Sequence, residues 1–266
     1  MDATGAGLTA RPLDPGSQTV RATVAYDGTD FAGFQWQTNG RTVQGVLEAA
    51  IKSVTQHECR VVGSGRTDAG VHATGQVVGF TAPWRHPLSD LRRALNAVLP
   101  FDIVITELQA AETGWHPRFS AKRRTYRYSI LNQALRSPLD RRYAHLVTPP
   151  LAPERLQAAA ERLVGEQDFA SFGRPMQPGE TTVRRIFAAG WNVSRRSASG
   201  MLLTFDVTGN AFLRGMVRSL VGNLLQVGLG LWTVDQLAEV LAARDRSVAA
   251  PPAPACGLCL MNVEYD

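Results

Sequence analysis

The stretch Gly63-Ser-Gly-Arg-Thr-Asp-Ala-Gly70 sets a cation, a hydroxyl and a carboxylate between glycines. Gly63 and Gly65 open it like a dinucleotide fingerprint, but Asp68 stands where the third glycine belongs and a strand, not a helix, is expected to follow. Gly65 and Gly70 have phosphate-loop spacing, yet Val71-His72 replaces the Lys-Ser/Thr pair that would contact phosphate and metal. What remains is Arg66-Thr67-Asp68. It reads either as an ordinary turn with a self-bonding aspartate or as a charged trio whose glycines permit close approach of another backbone. His72 follows Asp68 by four residues, but no Ser or Cys is placed to complete a nucleophilic dyad, so a structural histidine is expected.

A second cluster runs from His116 to Leu146. Eight basic residues (Arg118, Lys122, Arg123, Arg124, Arg127, Arg136, Arg141, Arg142) face one acid, Asp140, a local charge of +7. Tyr126, Tyr128 and Tyr143 are interleaved with them, and cations beside aromatic rings suit looped or single-stranded RNA, although a solvated charged face has the same composition. Strand alternation sends Tyr126 and Tyr128 to one face and Arg127 to the other, so the residues cannot all serve one site. Further on, Arg214 and Arg218 share a face of an expected helix over Ala211 to Gly228, amid apolar residues that make an anionic partner necessary. Asp68 is one candidate. Cys256-Gly-Leu-Cys259 has redox or half-zinc spacing, but it enters a strand and lacks a second cysteine pair, so both thiols read as packing residues.

The elements that must position these groups follow from hydrophobic period. In the first half, Thr19 to Tyr26 reads as a strand, Thr42 to Val54 as a helix, Arg60 to Gly63 and Val77 to Phe80 as strands, Leu88 to Val98 as a helix and Ile103 to Leu108 as a strand. The second half repeats that order: strand Thr125 to Leu131, helix Pro153 to Val164, strands Val183 to Val193 and Met201 to Val207, helix Ala211 to Gly228, and strand Leu258 to Tyr265. Thr233 and Gln236 have capping-box spacing for an inserted helix to Ala242. The fold class is therefore α+β. Two ferredoxin-like βαββαβ halves would fuse into one mixed, largely antiparallel sheet with helices on one face and an active-site cleft on the other. The expected divisions are a flexible leader over 1–18, a half carrying the Gly-rich loop over 19–112 and a half with the basic segment over 113–266.

Composition bounds the function. A chain of 266 residues with 44% hydrophobic content can bury a sizeable core, which excludes global disorder and a disulfide miniprotein. The net charge of +5 favours anionic partners, and all but Lys52 and Lys122 of the 28 basic residues are arginine, suited to planar recognition of phosphate and bases or the mark of a genome-wide habit. Three cysteines, Cys59, Cys256 and Cys259, make no secreted framework. The longest uncharged apolar-rich run, Ser219 to Val234, is shorter than the roughly 20 residues a membrane helix needs. A cytoplasmic location with no membrane partner is expected.

Gly65-Arg-Thr-Asp-Ala-Gly-Val-His72 followed by Thr74-Gly-Gln-Val77 resembles the active-site loop of the tRNA pseudouridine synthase A family. Collinear support comes from Tyr26-Asp-Gly28, Phe31, Gly33-Phe-Gln35, Thr42-Val-Gln44, Phe119-Ser-Ala121, Tyr126-Arg-Tyr128, Asp168-Phe169, Ser171-Phe172, Phe212, Met216-Val-Arg218 and Gly257-Leu258. The resemblance implies isomerisation of uridine to pseudouridine at positions 38, 39 and 40 of the tRNA anticodon stem-loop, by a homodimer, without cofactor or catalytic metal. It also implies roles: Asp68 as nucleophile, Tyr126 stacking on the target uracil, Arg66 helping displace the base, Arg218 pairing with the aspartate, and Leu258 lining the pocket. One departure is Glu180, which stands where a basic residue is expected before a strand and puts the RNA path there in question.

Two other classes compete on the residues alone. The βαββαβ order is also that of RNA recognition motifs, so a noncatalytic RNA-binding protein is the alternative, but neither Gly75 to Phe80 nor Met201 to Val207 carries the clustered aromatics of that motif. A metal-dependent phosphoryl-transfer site would need further carboxylates, which the Asp68 loop lacks.

Overall fold

The computed structural model describes residues 17–177, 179–196 and 200–265. The leader expected over 1–18 lies outside these residues up to 16, while Ser17 and Gln18 already pair with Pro83 and Ala82 in the first strand. The chain divides into two compact units, one running to Ala121 and including the chain end from Asn262, the other spanning Lys122–Met261. The sequence places the division between 112 and 113. The first unit extends further because Arg21 lies over the Tyr265 ring (4.2 Å), Trp115 packs against that ring (centroids 5.4 Å), and the Tyr265 hydroxyl donates to the Pro117 carbonyl (2.8 Å).

In the first unit, β1 (Ser17–Tyr26), β2 (Val62–Gly63), β3 (His72–Pro83) and β4 (Ile103–Ala110) carry α1 (Val43–Thr55) and α2 (Leu88–Val98). Strand β1 lies antiparallel between β3 and β4. Alternation buries Val20, Ala22 and Val24 of β1 beside Phe80 and Val78 of β3, and the helices supply Leu47, Ile51, Leu91 and Leu95 to the same core. Each of these side chains larger than alanine contributes about 1.5–3 kcal/mol by leaving water. Thr42 caps α1 by accepting from the Gly45 N–H. Strand β3 is far longer than the expected Val77 to Phe80, because its pairing with β1 continues to Ala73, opposite Tyr26.

In the second unit, β5 (Arg123–Asn132), β6 (His145–Val147), β7 (Gly165–Asp168), β8 (Val183–Arg195) and β9 (Met201–Gly209) are joined by α3 (Pro153–Glu161), α4 (Met216–Gly228) and α5 (Val234–Ala243), and β10 (Leu258–Glu264) leads into the first unit. Strand order is β5-β9-β8-β7, all antiparallel, with β6 parallel to β5. The α+β class with a mixed, largely antiparallel sheet holds. The short strands β6 and β7 escaped the sequence reading. The Thr233–Gln236 capping box forms with both bonds present. Helix α4 is buried along most of its circumference, but it begins at Met216, not Ala211. Gly215 is left-handed (φ 72°), and Arg214 forms an isolated bridge with Arg174, so the preceding residues stay extended. Arg214 therefore does not share a helical face with Arg218. Among the described residues no helix is long and apolar enough to cross a membrane.

Candidate active site

The Gly-rich loop of the first unit is held by buried backbone and polar contacts. Ser64 N–H donates to the Val77 carbonyl (2.8 Å), its hydroxyl donates to Gln76 Oε1 (2.7 Å), and Gln76 Nε2 donates to the Gly65 carbonyl (2.9 Å). The Tyr26 and Thr67 hydroxyls share a buried hydrogen bond (2.8 Å), and the Thr67 carbonyl accepts from Phe34 N–H (3.0 Å). At its far end Gly70 N–H donates to the Phe31 carbonyl, and Val71 N–H closes a turn on the Asp68 carbonyl (3.2 Å). Thr67 is buried, Asp68 half-buried and Arg66 exposed. The loop is thus a fixed support that presents the two charged side chains on either side of its anchored threonine.

Gly28 makes this docking possible. A Cβ there would stand 1.9 Å from the Val71 carbonyl oxygen, so the two backbones meet only because glycine occupies the position. Gly28 N–H also donates to Nδ1 of the buried His72 (3.0 Å), and Asp27 Oδ1 lies 3.2 Å from the same nitrogen. These contacts make His72 a structural clasp between the Asp27–Gly28 turn and the start of β3.

The remaining site candidates lie in the second unit. Tyr126 and Tyr128 of β5 point into the unit while Arg127 points outward, as alternation requires. Tyr126 is 8% exposed and meets Phe212 edge-on at 5.1 Å between centroids. Arg218 sits in the first turn of α4, its Nε donating to the Ala253 carbonyl (2.8 Å) while Ala253 N–H donates to the Arg218 carbonyl (2.9 Å). The same segment is tied down by the Tyr128 hydroxyl, which donates to the Pro254 carbonyl (2.8 Å). Burial pushes the Tyr128 phenol far above its usual range, so it stays a donor. Gly257 lies against that ring, where a Cβ would come within 2.6 Å, and Leu258 follows it, buried, at the start of β10. Ala253–Leu258 thus forms a strap over Tyr128 and Arg218. On residue types alone only a cysteine pair stood out there; Gly257 and Leu258 entered through the family resemblance.

The basic run is not one surface. Arg124 is buried and donates to the Asn210 carbonyl (2.7 Å), and Arg127 is paired twice with Asp206 (2.7 and 2.8 Å). Arg123 instead lies 4.7 Å over the Phe187 ring, with Arg185 at 5.7 Å, and Lys122, Arg136 and Arg141 are exposed. Glu180 accepts from Met176 and Gln177 N–H (2.9 and 3.3 Å), so its carboxylate closes its own loop. Cys59, Cys256 and Cys259 form no disulfide. Among the described residues no group of three or more His, Cys, Asp or Glu side chains is placed to hold a metal.

A family profile described as tRNA pseudouridine synthase matches residues 22–120 and 159–266, leaving unmatched the stretch that holds β5. The tRNA pseudouridine synthase A of Chloroflexus aurantiacus is 46% identical over 255 residues, covering 93% of this chain and 89% of the relative. That of Limosilactobacillus reuteri is 41% identical over 249 residues (92% and 96%), and that of Pelobacter propionicus 40% over 248 residues (93% and 100%). The α+β fold and these relatives together define an RNA-modifying isomerase. The chain belongs to the tRNA pseudouridine synthase family, and its reaction is the isomerisation of uridine in tRNA.

Proposed function

We propose that the chain converts uridine to pseudouridine at positions 38, 39 and 40 of the tRNA anticodon stem-loop, with Asp68 as nucleophile, acting as a homodimer in the cytoplasm and needing no cofactor or metal. The C–N glycosidic bond breaks, the uracil turns while bound, C5 joins the sugar, and the C5 proton leaves to solvent. Atoms balance without a cosubstrate. Asp68 attacks the base or the sugar, for which its carboxylate must be ionised in a dry pocket. Burial alone opposes ionisation, and a guanidinium nearby restores it, the role assigned to Arg218. The first turn of α4 has neither an acidic residue nor a side-chain cap, so an anion beside Arg218 gains from the helix end as well. A uridine must leave the stack first, at a cost of about a few kcal/mol. Arg66, exposed beside Asp68, is the group to fill the vacated space, Tyr126 the ring to hold the extruded uracil, and Leu258 a wall of the pocket.

The observation that carries this reading is a half-buried Asp68 on a loop anchored from Ser64 to Val71 in a chain of this family. The decisive measurement is tritium release from tRNA labelled at uracil C5. Wild type should release tritium, and Asp68→Asn should release none while still binding tRNA. Release by the Asn variant at the wild-type rate would remove Asp68 from the chemistry.

A further inference from the structure

Phe119 is 73% exposed, yet it sits on a well-connected turn. Its ring stacks on the His116 imidazole with centroids 4.4 Å apart and planes 28° from parallel, and the Arg118 guanidinium lies 5.6 Å from its centre. The turn beneath is braced at every step. Nδ1 of His116 accepts from both Arg118 N–H (3.1 Å) and Phe119 N–H (3.2 Å). His116 N–H donates to the Ser120 hydroxyl, and Ser120 N–H returns to the His116 carbonyl, both at 3.0 Å. Pro117, between them, is buried against Gly79 and accepts from the Tyr265 hydroxyl. An apolar ring left free would fold back to recover part of the roughly 1.5–3 kcal/mol that burial of such a side chain contributes. Here the ring rests on His116 and Arg118 and stays exposed.

We propose that Phe119, backed by His116, is a stacking platform for an unpaired nucleobase of the tRNA substrate, a site separate from the pocket assigned to the isomerised uracil. The proposal rests on tRNA being the substrate. Three features point to a base as the occupant. The ring already has an aromatic layer on one side, so a base extends an existing stack and orders little that is mobile. Arg118 sets a guanidinium at the ring, a cation that favours a phosphate backbone beside the stacked base. His116 remains uncharged, since burial and the neighbouring Arg118 hold its pKa below the usual histidine value, so the second layer is a neutral π-face.

The test is a substitution series on the full chain, read by tritium release from C5-labelled tRNA. Stacking is worth about 1–3 kcal/mol per base, so Phe119→Ala should raise KM about 5- to 150-fold and leave kcat at saturating tRNA near wild type. Phe119→Leu, which restores volume without a π-face, should resemble Ala, whereas Phe119→Trp should return KM to wild type or below it. An unchanged KM in the Ala variant, rescue by Leu, or failure of Trp to rescue would each overturn the platform. So would a change of oligomeric state in RNA-free Phe119→Ala, which would show the ring to be covered by a second copy of the chain. If wild type itself released no tritium, the proposed reaction would be at fault. The same series read as tRNA Kd would then decide the platform by the same pattern.

Discussion

The Asp68 loop of the first unit and the Ala253–Leu258 strap of the second are both irregular segments docked by way of a glycine, but they are held by different means. The loop is fixed by groups assigned no part in the chemistry: Gly28, Tyr26, Gln76 and backbone atoms from Phe31 and Phe34. The strap is fixed partly by Arg218, whose Nε bond to Ala253 occupies one edge of a guanidinium also proposed to serve the reacting carboxylate. Support and chemistry are separable in the first unit and merged in one side chain in the second. Around Asp68 the reacting group can therefore be changed without touching its support, whereas at Arg218 one substitution removes both.

After the loss of all release expected of Asp68→Asn, the largest effect is at the merged position. Arg218→Ala should remain folded and lose about 10²–10³ in kcat/KM, the usual result of removing a fixed charge stabiliser. Arg218→Lys keeps the charge but not the planar fork and should fall between. If Tyr128→Phe, which loosens the same strap without touching the charge, cost as much turnover as Arg218→Ala, then Arg218 would be a strap holder only.

Gly28→Ala probes the separable side. The added methyl meets the Val71 carbonyl, a backbone atom that cannot swing away, so the loop must shift. A displacement of about 1 Å costs on the order of 10² in turnover. Overpacking should lower stability by about 1–3 kcal/mol, measurable by urea unfolding. An Ala variant with normal kcat and reduced stability would show that Asp68 tolerates movement and that the exact seat of its loop does not set the rate. A milder version is Tyr26→Phe, which removes only the hydroxyl bonded to Thr67; a loss of about 1 kcal/mol with unchanged tRNA KM is expected.

What could be read from the residues divides along the same line. Periodicity located β1, α1, α2, β5, β8 and β9, and alternation gave the correct facing of Tyr126, Arg127 and Tyr128, because those signals are local. The loop motif was legible as well. Its support was not, since Gly28 meets Val71 and Tyr26 meets Thr67 across more than 40 residues, and no spacing rule encodes such pairs. The early start given to α4 has the same origin. Its apolar pattern runs back to Ala211, but Gly215 and the bridge to Arg174 override it. Likewise the +7 run is a count along the chain, and it could not show that Arg124 and Arg127 are engaged by Asn210 and Asp206, 86 and 79 residues away.

The finest probe of the strap is its own thiol. Burial raises the Cys256 pKa, opposed in part by nearby Arg218, so less thiolate is present at pH 8 than in an unstructured peptide and alkylation is slow. Tyr128→Phe removes the hydroxyl that holds Pro254 and leaves that carbonyl short of a donor, at about 1 kcal/mol. A strap opening cheaper by that amount is populated about fivefold more, and iodoacetamide labelling of Cys256 should quicken by that factor. Cys59 is the internal control: burial and Glu48 push its thiol up to about 12, it lies in the first unit, and its labelling should not change. Acceleration at both cysteines would mean that Tyr128 stabilises the whole chain and not the strap. Acceleration at Cys256 alone would localise the effect to the segment where support and chemistry coincide.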